Sequence, residues 1–98
     1  MELIQGKVHR ILSDDLVGLR HQRFIVDVLK GSREGKTILV AHNIDVAPRV
    51  PDLEIGEFIT VKGDYEWNEL GGLIHWTHKD PDQQREGGWV EWRGERYE

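Results

Sequence analysis

Cysteine is absent from this chain. That removes disulfide frameworks, zinc ribbons and thiol nucleophiles at once. It does not fix a compartment, since an exported protein need not use disulfides. No apolar run approaches the roughly 20 residues that a membrane-spanning helix needs. The opening Met1-Glu2-Leu3-Ile4-Gln5-Gly6 has neither the basic nor the apolar region of a signal peptide. A cytoplasmic protein with no membrane partner is therefore expected, or a periplasmic one if a leader was removed. Proline is scarce, and Pro48 and Pro51 fall close together, so residues 43–55 cannot form a long helix. Positive charge is also short: 13 basic residues stand against 18 acidic ones, a net charge of −5. A general grip on nucleic-acid backbone normally needs a surplus of Lys and Arg on one face. What stays open is a local strip, because Arg10, Arg20, Arg23 and Arg49 all fall in the first half.

The 98 residues make a single domain, 1–98. A chain of this size buries one modest core, roughly 60–70% of the surface its unfolded form exposes. Two residue types are rich. There are four tryptophans, all after residue 66, and five histidines. Large aromatic rings in a small domain either fill the core or present stacking surface.

Alternation with period two runs through most of the chain. Residues 3–12 read as a strand with Ile4, Gly6 and Val8 on one face, and Gly6 in mid-strand predicts a bulge. Residues 20–29 and 36–41 read as a hairpin around Gly31-Ser32-Arg33-Glu34-Gly35. Phe24, Val26 and Val28 share a face on its first strand, and Ile38, Val40 and His42 on its second. Residues 57–67 and 73–78 form a second hairpin around Asn68-Glu69-Leu70-Gly71-Gly72, followed by a polar loop, a short strand at 89–92 and a charged tail. One strand, a hairpin, a connector and a second hairpin is the order of an all-β, five-stranded OB-type barrel, here with an extra C-terminal short strand and loop segment. An SH3-like barrel or an open sheet is the rival.

Three polar groups could carry chemistry. The first is Ile74-His75-Trp76-Thr77-His78-Lys79-Asp80. On a regular strand His75 and His78 point to opposite faces, so they converge only if the strand ends or bulges between them. The second is Ala41-His42-Asn43-Ile44-Asp45 with Arg49 after it, at a strand end, where a rigid scaffold tends to hold binding residues. An Asx turn made by Asn43 or Asp45 would account for part of it. The third is His21-Gln22-Arg23-Phe24, with His21 and Arg23 facing outward, where they could meet an anion. Trp67 and Trp76 are candidate stacking rings. Trp89 and Trp92 cannot share a face, and packing is the expected role of at least two of the four tryptophans. His42 or His75, with Asp45 or Asp80, are the candidate catalytic groups. His21, His42, His75 and Asp80 have the chemistry of zinc ligands, but their spacing does not imply a site; no metal or cofactor is expected.

Those segments, with Ala47-Pro48-Arg49, Gly63-Asp64-Tyr65-Glu66-Trp67-Asn68, Gly71-Gly72 and Asp80-Pro81, resemble as a set the bacterial domain-of-unknown-function family numbered 3465. The likeness spans nearly the whole chain, from Gly6 to Tyr97. It implies small OB-like proteins without a settled activity. The family pattern usually has a second histidine where this chain has Lys79, and many members appear with an export signal.

Three functions fit these residues. A binding module for single-stranded nucleic acid or a nucleotide leads, with His21, Arg23, His42, Asn43, Asp45, Arg49, Trp67, His75, Trp76 and His78 as the ligand-binding set. A small histidine-dependent, nuclease-like hydrolase is the alternative. A protein-interaction or inhibitor domain is the third, since tryptophan is enriched at interface hot spots. Whether the chain is an enzyme is left open.

Overall fold

A computed structural model describes residues 1–98. It is all-β, with seven strands: β1 (Glu2–Ile11), β2 (His21–Gly31), β3 (Thr37–Asn43), β4 (Phe58–Glu66), β5 (Leu73–His75), β6 (Trp89–Trp92) and β7 (Glu95–Tyr97). No helix is long and apolar enough to cross a membrane. Neighbouring strands run β1-β2-β3-β5-β4, and β4 pairs back onto β1, so five strands close a ring. That closure sets aside an open sheet. All contacts in the ring are antiparallel except β3–β5, which is parallel at Leu39–Leu73 and Val40–Ile74. β6 and β7 lie outside the ring as a hairpin bonded to β4.

The alternation read from the sequence fills the barrel. Ile4 and Val8 of β1, Phe24, Val26 and Val28 of β2, Ile38 and Val40 of β3, Ile59 and Val61 of β4 and Ile74 of β5 are all buried in one cluster. Val90 and Trp92 of β6 join it from outside the ring, as does Val50 from the connector. β-Branched side chains dominate because they pack well on a pleated, one-sided surface. Burial stabilises this core by about 25 cal/mol per Å² of apolar surface removed from water.

Two segments depart from expectation. The strand predicted over residues 73–78 stops at His75, because Trp76 takes a left-handed backbone with φ +58°. The tail past Gly94 is not loose: Glu95–Tyr97 pairs with β6, and Tyr97 lies 6.2 Å from the Trp92 ring. The chain thus runs along one edge of β4 twice, as β5 against residues 64–66 and as β6 against residues 60–62, with residues 76–88 looped out between.

Gly6 does sit at a bulge. Gln5 pairs with Lys30 but Gly6 with Val28, which leaves Leu29 as the extra residue. A Cβ on Gly6 would collide with the Asp27 carbonyl oxygen and come within 2.9 Å of a Val26 methyl. Both are fixed parts of the barrel. Gly6→Ala is therefore expected to lower stability by about 1–3 kcal/mol, read as a shift of the urea midpoint; an unchanged midpoint would show that the bulge can widen.

Candidate functional site

The interior row of β3 ends in a polar residue. His42 follows Ile38 and Val40 inward and is fully buried. Its Nε2 lies 2.8 Å from the Pro48 carbonyl oxygen, which only accepts, so Nε2 carries the proton. Nδ1 then accepts from the Thr77 hydroxyl at 2.7 Å. One neutral ring thereby ties β3 to both the connector and the 76–88 excursion. Gln22, opposite His42 on β2, is also buried and pairs its amide with the Val50 backbone in both directions, at 2.9 Å each. These bonds close one end of the barrel with satisfied polar groups.

His78 enters the same end. The left-handed turn at Trp76 reverses its side, so His78 is buried while His75 stays half-exposed beside Glu66 at 3.3 Å. Nδ1 of His78 donates to the Lys79 carbonyl at 2.8 Å, and its ring packs 4.5 Å from that of Trp76. Arg85 covers the Trp76 ring and binds Asp64 at 2.6 Å. Asp80 accepts from the backbone N–H groups of Asp82, Gln84 and Arg85, which hold its carboxyl below the usual range. Gly88 completes the loop: a Cβ there would strike the Lys62 and Trp76 carbonyl oxygens.

The connector's polar residues are similarly engaged. Asn43 is buried and caps an Asx turn by accepting from Asp45 N–H at 2.9 Å. Asp45 accepts from the backbone N–H and the guanidinium of Arg20, and these bonds lower its pKa. Arg49 pairs with Asp14. His21 uses Nδ1 on the Leu19 carbonyl. The four groups considered as zinc ligands do not assemble: no three His, Asp or Glu side chains are grouped to hold a metal. The candidate catalytic groups remain apart too, with His42 sealed inside, His75 outside on β5, Asp45 on Arg20 and Asp80 inside its own loop.

The outer face of β2 and β3 is different. A cleft of about 240 Å³ lies there, lined by Leu12, Arg23, Ile25 and Leu39 and roofed by Asn68 and Leu70 of the β4–β5 turn. Arg23 reaches the Ser13 carbonyl through Nε at 3.0 Å and has no carboxylate partner. The loop after Leu12 exposes Leu16, Val17 and Leu19; the turn exposes Leu70 (92%) and Trp67 (75%). Of the other tryptophans, Trp92 is buried and Trp76 and Trp89 are half-buried. The cleft's apolar lining was not singled out from sequence, although Ile25 and Leu39 on the outward phase of their strands, and Leu70 in a polar turn, were its visible signal.

Most positive charge is neutralised. Arg20, Arg33, Arg49, Lys62, Lys79, Arg85, Arg93 and Arg96 each meet a carboxylate. Lys7, Arg10, Arg23, Lys30 and Lys36 do not.

The sequence model of a family described as proteins of unknown function, DUF3465, matches residues 3–98. The chain belongs to the DUF3465 family. No curated protein and no solved structure matches it. The histidine, asparagine and Asp-Pro segments that carried the likeness are, in this DUF3465 chain, the ones that close the barrel end and brace the excursion.

Burial pushes the His42 imidazole below its ordinary value of 6.5; nearby His78 and His21 act the same way against its hydrogen bonds. The unfolded chain protonates this histidine near 6.5 while the folded chain resists, so His42 contributes stability above that pH and loses it as pH falls toward the lower folded value. Denaturation between pH 7 and pH 5 should show an added slope of up to about 1.4 kcal/mol per pH unit, missing from His42→Gln. Equal slopes in the two proteins would contradict this.

Proposed function

We propose that this DUF3465 protein is a binding module of the OB type, which takes its ligand in the cleft on the outer β2–β3 face. The observation that carries the reading is the place of that cleft. OB barrels use the face of strands two and three, flanked by the loops after strands one and four, to hold extended ligands. Here the same two loops carry solvent-exposed apolar side chains, Leu16, Val17 and Leu19 on one and Trp67 and Leu70 on the other. Exposed apolar groups gathered around a cleft mark interaction sites.

The occupant that best matches the lining is an extended segment of a partner protein, placing apolar side chains against Leu12, Ile25, Leu39 and Leu70 and an acidic group toward Arg23. The charge balance supports this over a polyanion, since most cations are already paired and the net charge is −5. A second reading, single-stranded nucleic acid or a nucleotide, is favoured by the Trp67 ring, exposed to 75% just before the turn that roofs the cleft, and by Arg23 in that cleft without a carboxylate partner. The hydrolase reading has the least support, because His42, His75, Asp45 and Asp80 are each engaged elsewhere.

Peptides selected from a displayed random library on the intact protein, and labelled oligothymidylate, separate the readings. The expectation is apolar peptides whose affinity falls at least about tenfold in Leu70→Asp and changes little with salt. Oligothymidylate binding that is abolished in Arg23→Gln and weakens steeply as salt rises would replace the peptide reading with the nucleic-acid one.

A further inference from the structure

A second hollow lies where β1 is flanked by β2 and β4, and it shares no lining residue with the β2–β3 cleft. Its volume is about 250 Å³. The Gly6 bulge creates it by throwing Leu29 and Lys30 outward, since bulges re-aim the side chains of the extra residue and its neighbour. Gln5 forms the floor, Leu29 and Phe58 stand on opposite sides, and Lys30 and Thr60 supply polar groups. Phe58 is 70% exposed, an unusual position for a phenyl ring on a strand. The Lys7 ammonium sits 5.1 Å from its centroid.

Neither Lys7 nor Lys30 meets a carboxylate. Of the nearby acids, Glu57 is bound by Arg93 at 2.8 Å and Glu91 by Arg96 at 3.2 Å, while Asp27, across from Lys7, lies 3.0 Å from His9.

We propose that this hollow is a binding site for a small aromatic anion, a single ring bearing a carboxylate or phosphate. The ring packs against Phe58 and Leu29, where offset aromatic stacking adds to burial. The anionic group meets Lys30, with Lys7 beside it. The volume sets the size. It falls below the roughly 300–1,000 Å³ of pockets for drug-sized ligands, so it holds one ring and its substituent. The site does not depend on what occupies the β2–β3 cleft.

The test is a titration of the full ¹⁵N-labelled chain, followed by NMR, with phenyl phosphate and with benzoate. Inorganic phosphate and cyclohexanecarboxylate serve as comparisons. Saturable shifts at Lys30, Phe58 and Thr60 are expected with both aromatic anions, and weaker ones with either comparison. Lys30→Gln should weaken phenyl phosphate binding about tenfold, the loss of one charge-assisted hydrogen bond. Phe58→Leu should abolish the preference for benzoate over cyclohexanecarboxylate, and Arg23→Gln should leave affinity unchanged. The proposal is overturned by an absence of saturable shifts, by equal affinity of the Lys30→Gln variant, by equal binding of benzoate and cyclohexanecarboxylate to the native chain, or by binding that is lost in Arg23→Gln.

Discussion

The closed end of this barrel depends on an imidazole standing where a β-barrel usually places an aliphatic side chain. A buried ring nitrogen without a partner costs about 1–3 kcal/mol, so His42 needs two partners. It finds them on different segments, the Pro48 carbonyl and the Thr77 hydroxyl. Few apolar side chains hold the connector down; Ala47 and Val50 are its buried ones. Its path is set instead by polar satisfaction, through His42 and through the two bonds between Gln22 and Val50. The same demand fixes the start of the excursion after β5. Chemistry that looks catalytic in the sequence here serves as mortar.

With the interior closed in this way, the surface available to a ligand is the outside of the barrel. Exposed ion pairs contribute little stability individually, typically below about 1 kcal/mol, but they have a second effect. By pairing most cations with carboxylates they leave a few unmatched positive groups. Arg23 lies in the β2–β3 cleft, and Lys30 in the hollow beside Phe58. Each is set against apolar side chains rather than in a basic field. An amphipathic ligand with one well-placed anion fits such a surface better than a long polyanion does.

The strands were legible because their interior faces are so regular. Phe24-x-Val26-x-Val28 and Ile38-x-Val40-x-His42 mark both the faces and the hairpin, whose register sets Phe24 opposite Val40 and Val26 opposite Ile38. Gly6 announced its bulge. The end of β5 was not legible, since nothing in Ile74-His75-Trp76 reveals that a tryptophan will adopt a positive φ; that conformation is imposed by the close passage of Gly88 and by the bond from Trp76 Nε1 to the Glu86 carbonyl. For the same reason the sides of His75 and His78 could not be assigned. The polar clusters are visible in the sequence, but their hydrogen bonds are not, because sequence shows which residues are polar and not which backbone group each one meets. The cleft is hard to read from sequence because its lining, Ile25, Leu39 and Leu70, is apolar and scattered over two strands and a turn.

The pairing of β1 with both β2 and β4 has a consequence for how the chain is made. During synthesis β1 can engage β2 as soon as Gly31 has emerged, but its other edge waits for residues 58–63. Until then Ile4 and Val8 have only one wall of their core, and β1 offers an unpaired edge to other chains. The parallel contact of β3 with β5 comes later still, His42 receives its Thr77 partner after it, and the β6–β7 hairpin joins β4 last. Such non-local pairing slows folding. A nascent chain of this protein can therefore pair β1, β2 and β3 early, but cannot close the barrel until its final third is released.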